Sequence, residues 1–204
     1  MSAPQIFEIA GLILAGGRAT RMSGRNKAEI ELAGQTLLAR TIARAKPQVG
    51  RLLLSANRDP ALFGRYGLPV LKDNIGDHWG PLAGILAGLD HLASAWPQIK
   101  WLASFPTDSP FFPEDLVARL AEAAEGHEMA MATGHGQSEP VFSLWPVHLA
   151  RELRAALSNG VRKVEDFTRS RNLATVDWPA ERFFNINTPD DLQQAMRRLS
   201  ATNP

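Results

Sequence analysis

Short apolar runs alternate along this chain with longer stretches in which apolar residues return every three or four positions. The runs "GLIL" (11–14), "RLLLSAN" (51–57), "LPVLKD" (68–73) and the first half of "KWLASFPTDSPF" (100–111) predict strands. Between them, "TLLARTIARAKPQ" (36–48), closed by Pro47, and "GPLAGILAGLDHLASAW" (80–96), with Pro81 near its first turn, predict helices. "PEDLVARLAEAAE" (113–125) predicts another, its acidic residues suiting the positive N-terminal end of the helix dipole. Strands alternating with helices predict a parallel sheet covered by helices. After Gly126 the pattern changes: "EMAMAT" (128–133) and "EPVFSLWP" (139–146) predict strands that can pair antiparallel, followed by the helix "HLARELRAAL" (148–157). A last helix is predicted over 188–200, with Thr188 as N-cap and Pro189 at its first position. No internal repeat, low-complexity segment or linker interrupts the chain, which predicts a single α/β domain over residues 1–204.

One stretch departs from the alternation. "GLILAGGRATRMSGRNKAEIELAG" (11–34) leaves a buried strand through Gly16 and Gly17 and then gathers Arg18, Arg21, Arg25 and Lys27 among small residues. In an open parallel sheet, ligands lie beyond the carboxyl ends of the strands. A glycine pair there lets backbone N–H groups approach a phosphate, and Arg21 and Lys27 can add charge-assisted hydrogen bonds. For "LAGG" alone, a tight turn with solvated arginines explains the residues as well. Neither G-x-G-x-x-G nor G-x-x-x-x-G-K-[ST] occurs, so this is not a dinucleotide fingerprint or a Walker A loop. "FPTDSPF" places Asp108 just past a predicted buried strand, between Pro106 and Pro110. A carboxylate there suits Mg²⁺, which takes oxygen ligands together with substrate phosphates, although a solvated turn aspartate fits the motif too. Asp73 ends the third predicted strand in the same way. In "NINTP" (185–189), Asn185 and Asn187 alternate on an extended segment and share one face.

Composition narrows the partners. The formal net charge of the 204 residues is +1, so nothing global points to nucleic acid or a membrane surface, and any basic site is local. The chain has no cysteine, which removes thiolate metal sites and cysteine nucleophiles and fits a reducing compartment. The start "MSAPQIFEIA" lacks the basic and long apolar regions of a signal peptide, and no apolar run approaches the ~20 residues of a membrane span. The cytoplasm is the expected location. The five histidines show no metal-ligand spacing.

The pattern L-A-G-G-x3-R-M-x4-K resembles the signature loop of nucleotidyltransferases. "SANRD" (55–59), "KDNIGDHWGPLAG" (72–84), "FPTDSPF" (105–111), "SEPVFSLW" (138–145), "RKVEDF" (162–167) and "FFNINTPDDL" (183–192) are similar, in order, to the motifs of the molybdenum cofactor guanylyltransferases, the MobA type. That resemblance implies a three-layer, Rossmann-like nucleotidyltransferase fold with a mostly parallel central sheet and an antiparallel portion in the C-terminal half. It also implies a nucleotide-binding N-terminal half and a molybdopterin-binding C-terminal half. The implied reaction is GMP transfer from GTP to Mo-molybdopterin with Mg²⁺, other molybdenum cofactor biosynthesis proteins and acceptor-enzyme chaperones being further partners.

By the same resemblance Arg21, Lys27 and Asp108 are catalytic, with Asp108 on the metal. Leu14, Ala15, Gly16, Gly17, Lys27, Ser55, Asp73, Gly80 and Asp108 bind GTP, and Asn185, Asn187, Arg162 and Lys163 face the pterin. Ser23, Asn26 and Ser55 depart from the usual residues of that pattern, which bears on fine specificity rather than on reaction class. Cytidylyl transfer to molybdopterin, nucleotidyl transfer to a sugar phosphate, and a nucleotide-binding module without chemistry are the alternatives.

Overall fold

The computed structural model describes residues 3–16, 27–57, 60–72 and 79–202. Its first strand, β1 (Ile9–Leu14), sends Ile9 and Ile13 into one apolar cluster and Ala10 and Leu12 into another on the opposite face. That is the period-two alternation of a strand covered on both sides. Then come a two-stranded hairpin, β2 (Glu31–Leu32) and β3 (Gln35–Thr36), and α1 (Leu37–Ala45), whose N-cap Thr36 accepts a hydrogen bond from the Ala39 N–H at 3.1 Å. β4 (Arg51–Ser55), the short β5 (Val70–Leu71), α2 (Pro81–Ala95) and β6 (Trp101–Pro106) complete the parallel part. The C-terminal half adds α3 (Leu116–Ala123), β7 (Met129–Gly134), β8 (Gln137–Pro146), α4 (Ala150–Ser158), α5 (Val164–Thr168), β9 (Leu173–Trp178) and α6 (Pro189–Thr202).

Among the described residues the main sheet has seven strands in the order β5-β4-β1-β6-β8-β7-β9. β4, β1 and β6 run parallel; β8 is antiparallel to both β6 and β7, and β9 returns parallel to β7. Residues of α1 and α3 lie in the cluster on one face of the sheet, and those of α2, α4 and α5 in the cluster on the other, giving three layers. A third, smaller core joins the hairpin to the C-terminal segment through Ile30, Leu32, Leu37, Ile186 and Ala195. The chain therefore places β4 on one side of β1 and β6 on the other, so the topological switch point falls between β1 and β6. In an open α/β sheet that crevice is where ligands bind.

Several sequence expectations are adjusted. The strand expected over 68–73 shortens to Val70–Leu71, and the helix expected over 113–125 begins at Leu116, with Pro113 to Asp115 in the preceding turn. β9, α5 and the β2–β3 hairpin were not anticipated. β9 is an edge strand, where Thr175 and Asp177 are exposed and only Ala174 and Trp178 are buried. α5 is too short, at five residues, to show a helical period.

A chain of aromatic rings ties the two halves together: Phe105 to Phe112 at 5.1 Å between centroids, Phe112 to Phe142 at 5.4 Å, and Phe142 to Phe183 at 5.1 Å. Phe142 is fully buried in the middle of this row. Phe142→Ala should therefore lower stability by about 3–5 kcal/mol, the range for emptying a buried phenylalanine site. A urea unfolding midpoint indistinguishable from wild type would mean the row can collapse around the gap.

Candidate active site

Four chain segments meet at the carboxyl end of the parallel strands. β1 ends in Leu14, whose carbonyl accepts the Thr107 hydroxyl at 2.7 Å, while the Ala15 N–H donates to the Ser55 carbonyl at 2.9 Å. These bonds hold the exit of β1 between the ends of β6 and β4. Gly16 follows, exposed, and a Cβ built there would meet nothing within 4 Å, so its backbone can be approached closely. Ser55 is buried, its hydroxyl directed at Gly84 of α2. The packing is close: a Cβ on Gly84 would come within 2.7 Å of both the Ser55 hydroxyl and Leu14.

Past β6, the turn holding Asp108 is fixed from the C-terminal half. The Ile186 N–H donates to the Asp108 carbonyl at 2.8 Å, and the Ser109 hydroxyl donates to Asn185 Oδ1 at 2.6 Å. Ile186 is buried while its neighbours Asn185 and Asn187 are both exposed, as an extended segment with one face inward requires. The end of that segment is locked by a reciprocal cap. The Asn187 and Thr188 N–H groups donate to the Asp191 carboxylate at 2.9 and 2.8 Å, and the Asp191 N–H donates to the Thr188 hydroxyl at 3.2 Å. The Asn187 N–H bond is the main reason the Asp191 carboxyl titrates below the usual carboxylate range.

At the centre, Lys27 Nζ donates to Asp108 Oδ2 at 2.7 Å and to Asn187 Oδ1. The asparagine expected at the pterin and the carboxylate expected on the metal thus share the ammonium of the lysine expected on the phosphates. The two asparagines are tied to the Asp108 turn and to its lysine. Two oxygens converging on one cationic atom form a donor set that a hard divalent cation could also use. Among the described residues no group of three or more His, Asp or Glu side chains could enclose a metal.

Arg162 and Lys163 lie elsewhere. The Arg162 guanidinium stacks over Trp79 at 3.7 Å from the ring centroid and donates to the Leu157 and Val161 carbonyls, both at 2.8 Å; Lys163 is exposed beside it. Trp79 leads into Gly80, the N-cap of α2, with Pro81 at the first helical position. Gly80 has φ 65° and ψ −161°, a conformation essentially confined to glycine. Gly17, Arg21 and Asp73, and with them Ser23 and Asn26, lie outside the described residues.

Sequence reasoning passed over Glu139, although "SEPVFSLW" contains it. It stands on β8 opposite Ala132, half-buried, and its carboxyl is pushed from the ordinary 4.5 up to about 7, first by burial and then by the Asp108 charge. A glutamate preceding proline at the start of a predicted strand carried no signal of that proximity.

The open sheet with its switch-point crevice, a glycine at the exit of the first strand, and a lysine–carboxylate pair at the exit of its neighbour define a nucleotide-handling α/β class of protein. A MobA-like NTP transferase domain matches residues 11–175, and the chain belongs to that family. Over 203 residues it is 48% identical to a molybdenum cofactor guanylyltransferase from a Bradyrhizobium species, covering 97% of this chain and 96% of that one. It is 47% identical over 192 residues to a protein of the same name from Rhodopseudomonas palustris, covering 91% of each. Among solved structures it superposes on molybdopterin-guanine dinucleotide biosynthesis protein A from Archaeoglobus fulgidus with a TM-score of 0.76 at 25% identity, covering 94% of this chain and 99% of that one.

The position of Glu139 has a thermodynamic consequence. An acid that holds its proton more tightly folded than unfolded costs no stability below 4.5, and its cost grows until the pH passes about 7. Stability of the wild type should fall across that window, and Glu139→Gln should flatten the fall. Urea midpoints at about pH 4.5 and pH 8 for both proteins check this; identical slopes would mean that Glu139 titrates normally.

Proposed function

We propose that this protein transfers GMP from GTP to the terminal phosphate of Mo-molybdopterin, releasing pyrophosphate and forming the guanine dinucleotide form of the cofactor. The observation that carries the reading is the meeting of Lys27, Asp108 and Asn187 at one point beyond the β1–β6 crevice, in a chain of the MobA-like NTP transferase family. An oxygen of the acceptor phosphate attacks the α-phosphorus of GTP, the bond to the β-phosphate oxygen breaks, and pyrophosphate leaves. The attacking oxygen is already anionic, so the step needs no general base. What remains for the protein is alignment and the neutralisation of charge.

The backbone of Leu14, Ala15, Gly16 and Gly17, the end of β4 at Ser55, and Asp73 and Gly80 receive the nucleotide. Lys27 swings on its four-carbon stem from Asp108 to the phosphates, where Arg21 joins it, and Asn185 and Lys163 face the acceptor. Asp108, with Asn187 beside it, would hold Mg²⁺, and this is consistent with two oxygens that already share a cation. When bound, such an ion would neutralise charge on the reacting phosphate oxygens.

The test is turnover of GTP, CTP, UTP and ATP by the purified protein with Mo-molybdopterin and Mg²⁺, read as pyrophosphate release. GTP should be used well ahead of the others. A preference for CTP would remove the guanylyl assignment, and background release with every nucleotide would leave a binding module. Asp108→Asn keeps size and one oxygen but removes the charge, and should lower the rate by about 10²–10³-fold while leaving acceptor binding intact. Lys27→Ala should weaken GTP binding as well as turnover. An Asp108→Asn enzyme retaining more than about a tenth of the rate would exclude Asp108 as the metal ligand.

A further inference from the structure

We infer that Arg162 is a positioning residue for the nucleotide rather than a contact to the acceptor: it clamps the loop that opens α2 to the end of α4. The inference rests on the GTP reading above, because that loop carries Gly80, and it adds a residue from the C-terminal half to the nucleotide site.

Three contacts of Arg162 converge. Its Nη1 donates to the carbonyls of Leu157 and Val161 at 2.8 Å each, meeting backbone groups at and just past the C-terminal end of α4, an end that leaves carbonyls without helical partners and favours a cation. Its Cζ lies 3.7 Å from the centroid of Trp79, within the distance at which a cation is attracted by the ring face. Its own carbonyl stands 3.4 Å from where a Cβ of Gly80 would be. The side chain is half-buried, so little of it is offered to a ligand, whereas Lys163 beside it is exposed.

Trp79 is the last residue before the glycine-only conformation of Gly80 and the start of α2 at Pro81. Below the indole lies the apolar cluster formed by α2, α4 and α5, which includes Leu82, Val164 and Phe167. The ring therefore packs against the core and also carries the guanidinium. With both in place, the direction in which the backbone turns into α2 is set, and with it the presentation of the Gly80 backbone and the first helical N–H groups at the ligand edge of the sheet. A lysine ammonium could donate to the same two carbonyls, as Nη1 does from one atom, but it would have no second part of a delocalised cation left to lie over the ring.

The experiment measures GTP dissociation constants in the presence of Mg²⁺ by titration calorimetry for wild type, Arg162→Met, Arg162→Lys, Trp79→Leu and the Arg162→Met/Trp79→Leu double variant, together with KM for Mo-molybdopterin. Arg162→Met and Trp79→Leu should each weaken GTP binding by roughly 2- to 30-fold, the span a cation–π contact covers. The double variant should be no weaker than the worse single one, because both remove the same contact. Arg162→Lys should weaken GTP binding like Arg162→Met, and KM for the acceptor should stay within about twofold throughout. Full GTP affinity in Arg162→Lys, multiplied effects in the double variant, or a raised acceptor KM with unchanged GTP binding would each overturn the clamp. If Arg162→Met fails to fold, Arg162→Lys and Trp79→Leu decide the matter on the same readouts. A wild type that binds no GTP would defeat the function assigned above as well; normal wild-type binding with unaffected variants would defeat the clamp alone.

Discussion

The structure depends on β1 being covered on every side. Its backbone pairs with β6 along its whole length and with β4 from Ala10 to Leu14, and its side chains face apolar clusters on both faces. A strand in that position has no water to satisfy a polar side chain, so its own residues are confined to apolar and small types. Gly11 shows how tight the fit is, since a Cβ there would stand 2.7 Å from Leu52. Chemistry can begin only where the coverage stops, at Leu14 to Gly16. The same applies to β6, whose last residues deliver Thr107 and Asp108 to the same edge. Parallel pairing of two buried strands is thus what brings a backbone cradle and a carboxylate side by side.

Among the described residues of that edge, one ion pair stands at the centre. Asp108 carries one negative charge, Lys27 answers it with one positive charge, and Asn187 adds a neutral oxygen to the same ammonium. Glu139, half-buried nearby, holds its proton up to about 7 because burial and Asp108 both disfavour a second negative charge. The conformational cost of keeping the groups together is met outside the site, by the Thr188–Asp191 cap, by the Ile186 hydrogen bond to Asp108, and by the aromatic row beneath.

The two halves of the chain are consequently less separate in space than in sequence. Asn185 and Asn187 come from the C-terminal half but brace the Asp108 turn, and Arg162, also from that half, packs on the tryptophan that introduces α2. The division into two halves that the sequence resemblance implies is a division of the chain. It does not describe which side chains stabilise each loop.

Much of this protein was written in local pattern. β1, β4, β6, α1 and α2 were legible because a strand covered on both faces must be apolar and a helix lying on a sheet must be apolar at helical spacing. The cap at Thr188 and the turn at Asp108 were legible because capping and proline chemistry act within a few residues. β9 was not, because an edge strand with exposed Thr175 and Asp177 loses the apolar run that marks a buried one. Nor was α5, too short to repeat. The elevated carboxyl of Glu139, the sharing of Lys27 between Asp108 and Asn187, and the stacking of Arg162 on Trp79 could come only from the tertiary structure. Each joins residues far apart in the chain, from 31 positions for Glu139 and Asp108 to 160 for Lys27 and Asn187. The sequence determined which chemical groups stand at strand ends, since burial dictates that locally. Which of those groups touch was decided by how the strands are ordered in the sheet, and no local pattern encodes that order.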